Sequence, residues 1–150
     1  MSDFLSPQSG FVFLFFCILL TAAGEDASTG RIRNRYPIGI MTLALLSCVL
    51  GLPPGLAERF MGLCIAGLPL YTAAVVREGS FGGGDVKLSA SCGFFLGAEQ
   101  GTAFLMWTLA AAGIWAGALF LKGRKGRGER LALGPFFALG AAIALWQTAL

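Results

Sequence analysis

The chain has 150 residues, of which 56% are hydrophobic and 13% charged, with no histidine and a formal net charge of +3; an ordinary soluble domain carries roughly 25% charged residues. A water-soluble fold of this length could not hide so much apolar surface, which leaves an all-α integral membrane protein, a polytopic bundle of about six transmembrane helices of roughly 20 residues each. Nucleic-acid binding needs a basic face on a soluble fold and is not expected. A metal site or haem is not expected either, because Cys17, Cys48, Cys64 and Cys92 sit in apolar runs with no C-x-x-C pair and read as small packing residues.

In chain order, the charge-free stretches are Phe4 to Gly24, Tyr36 to Ala57, Phe60 to Val76, Leu88 to Ala98, Gln100 to Leu121 and Leu131 to Leu150. The flank of the first, Met1 to Gly10, has no basic residue and carries Asp3, which argues against a cleaved secretory signal. Pro53-Pro54 ends the second stretch in a turn. The fourth is short and extends through Val86 and Lys87, the lysine stem reaching toward water. Gly113 and Gly117 in the fifth form a GxxxG face of the kind that packs closely on another helix.

Six crossings put Arg31, Arg33, Arg35, Arg77, Lys87, Lys122, Arg124, Lys125, Arg127 and Arg130 on one side and Arg59 alone on the other. Basic residues in short loops stay cytoplasmic, so both termini face outward and loops one, three and five face the cytoplasm. The basic run Lys122 to Arg130 is expected to lie at the anionic lipid surface. No linker or repeat divides the chain, and residues 1–150 read as a single transmembrane domain.

Carboxylates at the edge of hydrocarbon are costly and call for an account. Asp26 closes the first span and Asp85 opens the fourth, both on the cytoplasmic side of this topology. Two aspartates sharing one proton can hydrolyse a peptide bond, the ionised member taking a proton from water and the protonated one donating to the carbonyl. Helix fields favour the negative charge on Asp85, at a helix N-terminus, over Asp26, at a C-terminus. Plainer readings stand beside this one: Asp85 as a helix cap, Asp26 as a solvated loop residue, and Gly82, Gly83 and Gly84 as a turn rather than a place where substrate backbone approaches.

At these residues the chain resembles the type IV prepilin peptidases, membrane aspartic proteases of the GxGD type. Gly82-Gly83-Gly84-Asp85-Val86-Lys87 is similar to that family's G-x-G-D-x-K; Asp26 followed by Ile32-Arg33-Asn34-Arg35 is similar to its first aspartate and I-P-N segment; and Leu133-Gly134-Pro135-Phe136-Phe137-Ala138-Leu139-Gly140 is similar to its closing stretch. The resemblance implies Asp26 and Asp85 as the catalytic pair, with Lys87, Asn34 and the glycines shaping the site. It implies removal of a short basic leader from prepilin or pseudopilin precursors, in the bacterial cytoplasmic membrane, for a pilus or secretion assembly.

Arg33 stands where the family has proline. The family's cysteine-rich N-terminal segment does not occur in this sequence, so a minimal peptidase without methyl transfer is expected. Because the cytoplasmic side is itself basic, Glu25 and Glu78 offer local partners for the basic leader, with solvated loop charges as the plainer reading of both. Two further readings remain open, a small proton- or cation-coupled transporter or channel subunit using the same aspartates, and an assembly scaffold in which they are incidental.

Overall fold

A computed structural model describes residues 7–76, 82–122 and 132–149, and these form five helices: α1 (Pro7–Thr29), α2 (Arg35–Val49), α3 (Leu56–Val76), α4 (Gly83–Leu121) and α5 (Gly134–Ala149). Among them α1, α3 and α4 are long and apolar enough to cross a membrane, while α2 and α5 are shorter apolar helices. Large apolar side chains face outward, Val49, Val76 and Leu121 at 83%, 87% and 87% exposure, a pattern that suits a lipid solvent better than water.

Helix ends follow local chemistry. α1 runs past Gly24, the expected end of the first span, and stops at Gly30, whose φ of 63° is left-handed and whose N–H donates to the Asp26 carbonyl at 2.8 Å. Asp26 is thus inside the last turn of α1 and its backbone is fixed by the helix cap. α2 ends at Val49, well before Ala57. Gly51 turns the chain there with φ of 70°, and the N–H groups of Gly51 and Leu52 donate to the Cys48 and Ser47 carbonyls at 3.0 Å each.

The fourth and fifth sequence stretches are joined in α4, interrupted at Gly97, where φ is 84° and ψ −175°. A side chain added at Gly101 would lie 3.6 Å from the Gly93 Cα, whereas eight residues of straight helix rise about 12 Å. The chain therefore folds back at Gly97 and α4 is two arms. Only a residue that tolerates positive φ can make this bend, and a Cβ there would also meet Pro54 at 2.8 Å.

Small residues decide where the helices approach most closely. A Cβ on Gly62 of α3 would lie 2.5 Å from the Gly97 carbonyl oxygen and closer still to that of Gly93. One on Gly67 would lie 2.9 Å from the Ala90 Cβ. The expected Gly113/Gly117 packing face is not used in this way: among the described residues nothing lies within 4 Å of a Cβ at either position, whereas glycines of α3 and the first arm of α4 meet directly. Ser89 reinforces that contact by donating to the Ala66 carbonyl at 2.8 Å, which satisfies a buried hydroxyl.

Aromatic pairs fill the rest of the core. Phe15 of α1 stacks on Phe95 of α4 at 4.4 Å, and Phe104 on Phe137 of α5 at 5.7 Å. Of the cysteines, Cys92 is the buried packing residue that the sequence suggested, whereas Cys17 and Cys64 are exposed on the outer surface.

Candidate functional site

Asp26 and Asp85 line one cavity of about 440 Å³, together with Gly30, Arg31 and Ile32 after α1, Gly82, Gly83 and Gly84 at the start of α4, and Ala132 before α5. Three separate parts of the chain build it. Each motif picked out in the sequence contributes to this one end of the molecule, and the contacts between them explain the residue types.

Asp26 is buried at 3% exposure. Its Oδ2 accepts the Gly134 N–H at 2.7 Å, a bond that joins α1 to the first residue of α5. The first N–H groups of a helix have no partner inside it, so a carboxylate placed there satisfies one of them and faces the positive end of the helix dipole. Glycine is required at 134 for contact: a Cβ would lie 2.9 Å from both the Ala23 Cα and the Asp26 Cβ.

Asp85 occupies the third position of α4 and its Oδ2 accepts the Gly82 N–H at 2.9 Å. This is the carboxylate half of a capping box. The cap reading of Asp85 and its place on the cavity wall are therefore compatible, since a carboxylate can accept at both oxygens.

The contrast of helix fields drawn from the sequence loses its basis here. Asp26 does end α1, but the folded chain brings the N-terminus of α5 to it, so both carboxylates accept an N–H at a helix N-terminus. A bond between residues so far apart in the chain leaves no local signal.

The segment between α1 and α2 is locked to the start of α4. A Cβ on Gly84 would lie 2.7 Å from the Ile32 carbonyl oxygen, so only glycine lets the Gly-rich turn lie against this segment. Asn34 is at the N-cap position of α2 yet makes no capping bond. Its Oδ1 instead accepts from Lys87 Nζ at 3.3 Å, giving both residues a tie across the site. Gly83 borders the cavity, and among the described residues no atom lies within 4 Å of a Cβ there.

Glu25 is turned to another task than the one expected of it. It does not line the cavity; its carboxylate takes Arg33 Nε at 2.8 Å, Arg35 Nη2 and the Tyr36 hydroxyl. A basic leader would have to displace two arginines already present. Arg33, at the position where proline was anticipated, thus serves to hold the α1–α2 segment to the end of α1. Glu78, the other acid expected to meet the leader, lies outside the described residues, as does most of the basic run after Lys122.

Sequence reasoning missed Arg31 as a wall residue and Gly134 as the donor to Asp26. Arg31 carried no signal beyond its charge. Gly134 stood within a recognised motif, yet nothing local to it names a partner on α1.

These features define an all-helical protein of membrane type with two aspartates from distant helices on one polar cavity. Residues 13–124 match the model of the type IV leader peptidase family, and the chain belongs to that family. It is also 26% identical over 131 residues to the prepilin leader peptidase/N-methyltransferase of Bacillus subtilis (strain 168), covering 87% of this chain and 53% of that protein. The chain spans about half the length of this curated relative. No solved structure matches it.

Proposed function

We propose that this chain is a single-domain membrane aspartic endopeptidase that removes the basic leader from type IV prepilin or pseudopilin precursors at the cytoplasmic face of a bacterial inner membrane. The observation that carries the reading is the placement of Asp26 and Asp85 on the same cavity, within a family of leader peptidases. Six crossings, with the two arms of α4 counted separately, would leave both termini outside and the aspartates at the inner membrane edge, in keeping with the one-sided distribution of basic residues.

In this mechanism one aspartate is ionised and one protonated. The ionised carboxylate takes a proton from a water molecule as its oxygen attacks the scissile carbonyl carbon; the protonated carboxyl gives its proton to the carbonyl oxygen. Collapse of the tetrahedral species breaks the C–N bond, with the new amine taking a proton from the dyad. The N–H groups of Gly134 and Gly82 hold one oxygen of each carboxylate, fixing their orientation. Gly83 gives the substrate backbone room beside Asp85, Gly84 lets the turn pack on Ile32, and Lys87 and Asn34 hold the two sides of the cleft together.

Coexpression of the chain with prepilin-like precursors, followed by mass measurement of each precursor, tests the assignment. A loss equal to the leader is the expected result. A precursor that stays intact with the wild-type chain, or loses its leader equally well with an Asp26→Asn or Asp85→Asn variant, rejects it.

A further inference from the structure

A second cavity, of about 490 Å³, is walled by Arg59 with Glu58, Glu99, Phe95 and Met61. It also reaches Gln8, eighteen residues before Asp26 on α1, a rise of about 27 Å along a helix. It therefore lies at the opposite end of the bundle from the aspartates.

Arg59 is completely buried. Its Nε donates to the Pro54 carbonyl at 2.9 Å, and Nη2 donates to Ser47 Oγ at 2.9 Å and the Leu52 carbonyl at 3.2 Å. These bonds tie down the turn between α2 and α3 and use neutral acceptors only. Among the described residues Nη1 has no hydrogen-bond partner, and no carboxylate lies within ion-pair distance of this guanidinium. A buried cation is ordinarily paired with an anion. Arg59 also sits in the first turn of α3, a helix end that favours negative charge.

Glu58 and Glu99 are exposed on the same cavity. An anion alone would approach Arg59 against their charge. A molecule with an anionic group and a cationic group would answer both: anion toward Arg59 and the α3 N-terminus, cation toward the glutamates. The apolar part of the wall, Phe95 and Met61, suits attached hydrocarbon.

We propose that this cavity binds the headgroup of a zwitterionic phospholipid carrying a primary ammonium, with its phosphate at Arg59 and its ammonium at Glu58 and Glu99. The proposal rests on membrane placement of the helices and not on the peptidase reading, so lipid retention and leader cleavage can fail independently.

Native mass spectrometry of the full chain, released from detergent with equimolar phosphatidylethanolamine and phosphatidylglycerol, is the test. The wild-type chain should retain phosphatidylethanolamine over phosphatidylglycerol by roughly tenfold, the scale set by one charge-assisted contact. Arg59→Gln should lose both lipids. Because that variant also loosens the α2–α3 turn, a Glu58→Gln/Glu99→Gln double variant, altered only at exposed side chains, provides the second reading: it should keep lipid but lose the preference. Equal retention of the two lipids by the wild-type chain, or a preference unchanged in the double variant, overturns the proposal. Displacement of the lipid by millimolar phosphoethanolamine that lacks acyl chains overturns the lipid assignment in favour of a soluble ligand.

Discussion

The two ends of the bundle hold charge by opposite means. At one end Asp26 and Asp85 each accept a backbone N–H at the start of a helix. At the other, Arg59 donates to carbonyl groups of the turn between α2 and α3. Backbone groups thus supply the compensation in both places, donors for the anions and acceptors for the cation. The consequence differs: the N–H groups orient two carboxylates that line a cavity, whereas Arg59 is fastened through two of its nitrogens. Under the peptidase reading the aspartate end is arranged for chemistry, whereas the arginine end holds a turn and, among the described residues, leaves Nη1 without a partner.

The most direct way to break this contrast is to remove the acids. Under the peptidase reading, Asp26→Asn and Asp85→Asn should each lower the cleavage rate by about a thousandfold or more, since each removes a proton-transfer group. Quantifying mature and precursor forms by mass after coexpression checks this. Appreciable cleavage by either variant would place the chemistry elsewhere.

A smaller effect is expected at Gly134. Alanine there introduces a Cβ 2.9 Å from the Asp26 Cβ and pushes α5 away from its acceptor, and displacement of a reacting group on the order of 1 Å costs about a hundredfold in rate. Single-turnover cleavage in vesicles, normalised to folded protein, reads it; a wild-type rate would show that the bond to Asp26 does not position the acid.

The glycines between α3 and α4 should act on stability instead. Gly62→Ala and Gly93→Ala each drive a methyl group into a facing backbone carbonyl, and overpacking of this kind costs about 1–3 kcal/mol. Unfolding midpoints in detergent are the measurement. Cutting the tie across the site by Asn34→Ala should slow cleavage only about two- to fivefold, because a bond between exposed polar groups contributes at most about 1 kcal/mol. Smallest of all, Gly113→Ala and Gly117→Ala should shift stability by less than about 0.5 kcal/mol, which a midpoint comparison with the Gly62 variant would expose directly.

Much was legible without coordinates. Apolar composition and the scarcity of charge dictated a helical protein with an outward-facing apolar surface, since helices satisfy their own backbone groups in lipid. Pro53-Pro54 marked the turn after α2, and the acids that stood out against apolar runs, Asp26 and Asp85, do lie on one cavity. Composition and local pattern suffice for such features because each depends on a residue and its near neighbours.

Tertiary structure decided the rest. Both Gly113/Gly117 and Gly62/Gly93 offer small residues, yet among the described residues only the second set has another backbone lying against it, and the choice depends on how whole helices pack. The fold-back at Gly97 joined two expected helices into one bent element. Glu25 was drawn to Arg33 and Arg35 instead of the cavity. Above all, the electrostatic setting of Asp26 came from Gly134 on a distant helix. The sequence by itself determined which groups would be costly to bury; the fold determined which donors and acceptors would meet them, because hydrogen bonds act over a few ångströms in space without regard to separation along the chain.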